Sequence, residues 1–177
     1  MKRNLLAVFT GALLMLAVSS SAHSQFSFIK LETQKGLVLD EISDFKAPDV
    51  DPKNVAPKAL KSLSKNFKNV TEERWFETAN SFVAKFKIND VDYRADYDKK
   101  GHWLFTIRTY DETRLPENLR DMVKSTYYDY AITLVQEIEM PANVLTYIVH
   151  LDGKSQIIKL RISDGEMDEW QKFEKSK

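Results

Sequence analysis

Two of the three histidines (His23 lies in a signal-like start), a cluster of aspartates and a run of tyrosines are the groups in this chain whose types could do chemistry. His102 follows a turn glycine, Gly101, and His150 stands near the end of a strand-like run. The chain has no Cys, and neither histidine has a further ligand motif beside it. Together they fall short of the four-ligand set of a closed zinc site. Asp90, Asp92, Asp96 and Asp98 form the densest acidic cluster. A calcium loop needs oxygens converging on a tight bend with a glycine and a distal glutamate. Asp92, Asp96 and Asp98 lie at even spacing, so on an extended strand they project along one solvated face, and Asp98 reads as a turn former. The Ser and Thr residues lack a G-x-S-x-G elbow, and the five glycines are too scattered for a phosphate loop. Glu137, Glu139, Glu166 and Glu169 could meet in space, but an outward sheet face accounts for them equally well. No cofactor, no metal and no enzymatic activity are expected.

The aromatic residues point to recognition. Tyr127-Tyr128-Asp129-Tyr130 places three tyrosines in four residues, more than one helix stripe can bury. Trp75-Phe76 are neighbours on opposite faces of a predicted strand, so one ring tends outward unless that face is covered. Exposed Tyr and Trp near Lys85, Lys87 and Arg94 have the composition of a binding hot spot. The competing reading is a face capped by the lead-in segment or by the other half of the chain, since amphipathic rings also pack well inside sheets. The expected partner-binding residues are Trp75, Lys85, Lys87, Asn89, Asp90, Arg94, Tyr127, Tyr128, Tyr130, Asp152 and Gly153.

The elements that position these residues follow a signal-like start. Lys2 and Arg3 precede an apolar run from Leu5 to Val18, then the small-residue stretch Ser19 to Ser24. This reads as an export signal cleaved after Ala22 or Ser24, and it is short for a membrane anchor. Its removal takes away two basic residues and no acid, turning a balance of 26 basic and 26 acidic residues into a net charge of −2. Nothing in that balance favours nucleic acid. The expected location is periplasmic or secreted, with no anchor after cleavage. Residues 25–54 read as lead-in and linker. Leu37-Val38-Leu39 could form a short strand, and the Pro- and Asp-rich stretch from Ala47 to Asn54 reads as extended.

Beyond it the pattern recurs. Pro57 and Pro116 each open a short helix, striped by Leu60, Leu63 and Phe67 in one case and by Leu119, Met122, Val123 and Thr126 in the other. Candidate strands follow at Val70–Glu77 and Ala131–Glu139. A turn at Asn89-Asp90 predicts a hairpin pairing Ile88 with Val91, Phe86 with Tyr93, Ala84 with Ala95, Phe82 with Tyr97 and Lys87 with Asp92. Asp152-Gly153 predicts a type I′ hairpin pairing Leu151 with Lys154, Tyr147 with Ile158 and Leu145 with Leu160. Further turns at Lys99-Lys100-Gly101 and Ser163-Asp164-Gly165 lead into final strands.

The segments APKALKSLSKNF, FVAKFKINDVDYRADYDKKGHWL and LPENLRDMVKSTYYDY with YIVHLDGKSQIIKLRISDGEM resemble the PepSY-like, β-lactamase-inhibitor-like exported bacterial proteins over roughly residues 55–170. The resemblance implies an α+β fold and a binding or inhibitory role. The expected architecture is two tandem helix-plus-antiparallel-strand repeats at 55–110 and 111–177, forming one compact domain with helices packed on one face of a joint antiparallel sheet. The expected function is an exported protein-binding module. It could inhibit an envelope or secreted enzyme, acting through an open sheet face and hairpin loops. The alternative is a small-ligand carrier or sensor with a pocket between helix and sheet layers.

Overall fold

Alternation of apolar and polar residues marks most of the eight strands in the computed structural model, which describes residues 47–176. The export segment and Leu37–Leu39 lie outside the described residues. The strands are β1 (Thr71–Glu77), β2 (Ser81–Ile88), β3 (Val91–Asp98), β4 (Trp103–Tyr110), β5 (Ala131–Met140), β6 (Val144–Asp152), β7 (Gln156–Ser163) and β8 (Glu166–Glu174). Every strand pairs antiparallel with its neighbour in sequence, and spatial order equals chain order throughout. Two ten-residue helices complete the regular structure, α1 (Pro57–Asn66) and α2 (Glu117–Thr126).

This corrects the expected α+β arrangement of two tandem helix-plus-strand repeats. The chain is mostly one continuous eight-stranded antiparallel sheet, with only two short helices. The join is physical: β4 pairs with β5 from Thr106↔Glu139 to Tyr110↔Val135, so no sheet edge separates the halves. Each helix has about three turns and buries little of itself, Ala59 and Leu63 from α1 and Val123 from α2. Helices this short hold their shape only by packing on something larger.

Both helices lie on the same sheet face. Ala59 and Leu63 pack with Trp75, Phe82, Ala84, Phe86, Ala95 and Tyr97. Val123 packs with Val135, Val149, Leu151, Ile158, Leu160 and Ile162. Between these two cores, on that face, Arg108 forks across the β4–β5 junction. Its guanidinium donates to Glu137 Oε1 and Glu139 Oε2, each at 2.8 Å, and Tyr110 donates to Glu137 Oε2 at 2.7 Å. Burial and then the Glu137 carboxylate hold the Tyr110 phenol far above its usual range.

The Asn89-Asp90 hairpin has the predicted register throughout, and both turn residues adopt positive φ, 48° and 61°. The Asp152-Gly153 hairpin does not. Leu151 pairs with Ile158, Val149 with Leu160 and Tyr147 with Ile162. The loop is longer because neither Asp152 nor Gly153 has the positive φ of a type I′ turn, and Gly153 N donates instead to Gln156 O. The register moves by an even number of residues, so each side chain keeps its face. The stretch before α1 also differs from the extended reading. Asp49 bridges to Phe76, Val50 N donates to Trp75 O at 2.9 Å, and Asp51 caps a 3-10 turn at Pro52–Asn54.

Candidate interaction surface

Alternation sends the other half of each strand to the face that carries neither helix. The cross-strand pairs Arg74↔Lys85 and Lys85↔Arg94 place three cations in one row across β1, β2 and β3. Like charges directly opposite one another weaken a sheet, so this row opposes the fold that holds it. Partial compensation surrounds it. Arg74 pairs with Asp49 at 2.6 Å, and Arg94 grips Asp96 with two bonds of 2.7 Å. Asp96 is 1% exposed, so the Arg94–Asp96 pair is held inside the protein. Aromatic rings flank the cations: Arg74 and Lys85 lie over Phe76 at 5.3 and 5.2 Å, and Arg94 lies 5.7 Å from the Phe105 ring centroid. Burial, then Arg94 and Arg74, lowers the Lys85 ammonium below its ordinary value, while Asp96 acts in the opposite direction.

The expected binding residues divide among three places. Lys85, Lys87 and Arg94 share the face without helices, and Lys87 stands opposite Asp92. Trp75 does not join them. It points the other way, is 2% exposed, packs on Tyr97, and donates its indole N–H to Glu73. Its neighbour Phe76 holds the cationic side. The local alternation separated these two rings, and the position of α1 decided which was sealed inside.

The remaining residues gather at one end of the sheet, where the β2–β3 and β6–β7 turns both lie. Tyr130 stacks edge-on to Tyr127 and reaches Gln156 at 3.2 Å. A Cβ on Gly153 would stand 2.4 Å from the Tyr130 ring, so that glycine is the seat of the tyrosine. Tyr127 donates to Glu169 at 2.8 Å, and Asp152 pairs with Lys175. Tyr128 alone of the three points outward, at 80% exposure. Asn89 and Asp90 occur at the same end, where Arg114 donates to the Asn89 carbonyl.

Two residues absent from the sequence expectation belong to this description. Trp170 and Phe173 on β8 lie 5.6 and 5.9 Å from the Lys159 ammonium, and Phe173 stands opposite Ile157. Phe173 and Ile157 are among the most exposed large apolar side chains described. The Ser163-Asp164-Gly165 turn hinted at a strand here, but its large apolar residues, Met167, Trp170 and Phe173, fall at every third position, and the irregular register near Trp170 hid which face the rings would take. Among the described residues no group of three or more His, Asp or Glu could hold a metal ion. No described helix is long and apolar enough to cross a membrane.

No family model matches the sequence, and no curated protein matches it. Solved structures do. A BLIP-like protein from Bacteroides fragilis matches with a TM-score of 0.55 at 17% identity, covering 74% of this chain and 92% of that one. The fold is similar to that of a BLIP-like protein. A DUF2874 family protein from Bacteroides uniformis matches with a TM-score of 0.56 at 12% identity, covering 67% of this chain and 88% of the other. A protein provisionally described as periplasmic, from Bacteroides eggerthii, matches with a TM-score of 0.56 at 13% identity, covering 68% and 88%. At these identities the likeness is one of fold.

Proposed function

We propose that this chain is an exported protein-binding module that works by recognition rather than catalysis. Its partner carries an acidic patch, which docks at the exposed β1–β2 margin of the sheet face without helices, around Arg74, Lys85 and Lys87; the middle of that face, with Val83, Ile107 and Ile138, is buried. The observation that carries this is the row Arg74–Lys85–Arg94. Three cations stand in register across neighbouring strands, their repulsion offset in part by Asp49 and Asp96, and the exposed Arg74 and Lys85 present positive charge to which an acidic partner would be complementary. Phe76 supplies a ring beside the two exposed cations, the pairing of aromatic and cationic groups common at interface hot spots. Charge of one sign on such a surface mainly speeds encounter and selects partners. The turns at Asn89-Asp90 and Asp152-Gly153, with outward-facing Tyr128 between them in the chain, form a second contact region at the sheet's end. The BLIP-like fold and the periplasmic description of one neighbour support an envelope or extracellular setting, in line with the signal-like residues 1–24. The PepSY-like part of the resemblance rests on the sequence motifs alone, and enzyme inhibition is the form of binding it favours.

The test uses the chain without residues 1–24, immobilised in bacterial envelope extract, beside its Lys85→Glu variant. A stoichiometric partner that weakens with added salt and loses about tenfold in affinity on charge reversal supports the proposal. Lys85→Gln should lose binding while melting slightly higher than the parent, by a few tenths of a kcal/mol, since it removes the middle charge of the row. A partner held equally well by all three proteins would overturn the assignment of this face.

A further inference from the structure

A sheet whose strands run in chain order has two edges, β1 and β8. They are finished differently. The β1 edge is covered by the preceding chain through Asp49 and Val50, and Glu72 bends its first turn of strand at φ 53°. The described residues place no strand beside the outer edge of β8, a nine-residue strand. Such an edge is a template for another strand, and proteins that keep it unpaired usually scatter charge along it.

Charge on β8 is segregated rather than scattered. Glu166, Asp168 and Glu169 occupy its first half; Lys172 stands in its second half, followed by Glu174 and, just past the strand, Lys175. Lys172 makes no ion pair among the described residues. We propose that β8 is the contact through which two copies of this chain pair, antiparallel and edge to edge, about a twofold axis passing between Trp170 and Gln171. The pairing extends the sheet from eight strands into a continuous double sheet with all helices on one side.

The register follows from the irregularity near Trp170. Glu169 faces the helix side opposite Leu160, and Lys172 faces the same side opposite Ile158; Asp168 and Phe173 face the other side opposite Arg161 and Ile157. A twofold between Trp170 and Gln171 sets Glu169 against the second copy's Lys172, on the same face, twice. Asp168 meets Phe173, and Met167 meets Glu174, so no like charges oppose one another. Shifting by one residue would set side chains on opposite faces against each other. A parallel in-register pairing would set every charge against its own copy. One Glu169 oxygen accepts from Tyr127, leaving the second for the lysine. The Trp170, Phe173 and Ile157 patches of the two copies then lie side by side on the face without helices, where their exposed apolar area is covered. A twofold interface of this kind is self-complementary by construction.

Sedimentation equilibrium of the chain without residues 1–24, over a wide concentration range, tests the pairing. A reversible monomer–dimer equilibrium is expected. Glu169→Lys alone and Lys172→Glu alone should each weaken it about tenfold or more, and the double swap Glu169→Lys/Lys172→Glu should restore it. Circular dichroism of each variant separates loss of pairing from loss of fold. A chain that stays monomeric to about millimolar concentration overturns the proposal. So does a dimer indifferent to the single charge reversals. Neither result bears on Lys85, so the face proposed for an acidic partner stands or falls separately.

Discussion

His150 shows how one side chain can impose a pH limit on the fold. It sits on β6 opposite Lys159, with Nε2 3.2 Å from Gln136 Oε1. Burial, and then the Lys159 ammonium, lowers the imidazole from 6.5 to about 4. The native ring is therefore neutral where the unfolded one already binds a proton. As pH falls from 6.5 toward 4, the unfolded chain takes up that proton first, and stability drops; below 4 both states are protonated and the loss levels off. Above neutrality the group contributes nothing to the pH slope. The ring is partly exposed, so solvent screening reduces the loss to about 1–2 kcal/mol. Urea unfolding at pH 7.5 and pH 4.5 should show that His150→Gln loses less stability on acidification than the parent does. Equal losses in both proteins would assign the acid sensitivity to the carboxylates. The sequence placed His150 near a strand end but held no sign of this shift, which depends on burial in the folded sheet and then on a residue from the next strand.

Among the elements, the turns carry the most information about how local signals become structure. Gly101 and Gly165 end equivalent-looking loops and have nearly the same backbone, φ 79° and 80°. Their surroundings differ. A Cβ at Gly101 would stand 2.6 Å from Ala59 N and 2.9 Å from Lys58 Cβ, whereas at Gly165 it would meet no described atom within 4 Å. Gly165→Ala should cost about 1 kcal/mol, the strain of a side chain at positive φ. Gly101→Ala should cost about 2–4 kcal/mol, because the first turn of α1 must also move. Thermal melts of the two variants check the order. The Asn89-Asp90 hairpin was readable because alternation on both strands and a two-residue turn agree on one register. Asp152-Gly153 is as strong a turn signal on paper, yet Gly153 serves to seat Tyr130, a residue 23 positions earlier. Likewise the Trp75-Phe76 alternation was legible, but the choice of inner ring belongs to α1. The three-cation row could be assembled only after β1 was paired with β2, and its register breaks between Thr71 and Arg74.

At the scale of the whole molecule, two helix-side cores share one sheet. They are separated by the Arg108–Glu137–Glu139 bridge on one face, while Ile107 and Ile138 pair directly across the same junction on the other. Both residues are nearly fully buried, so the junction is packed as well as hydrogen-bonded. The described chain should therefore unfold as one unit. Leu63→Ala, which empties part of the first core, should cost about 2–4 kcal/mol. Hydrogen exchange should show reduced protection in β5–β8 as well as in β1–β4; a loss confined to β1–β4 would mean two independent units. One compact domain with a joint sheet was expected from the sequence, but each half is locally self-consistent, and nothing in the run from Tyr110 to Ala131 says that β4 and β5 will be the strands that join them. A meander has one more consequence. Each ladder joins strands that follow one another in the chain, so every hairpin can zip onto the last as the chain emerges from synthesis. Only the β4–β5 ladder must wait for a helix and its flanking loops to pass, and a chain without cysteine needs no oxidant to finish.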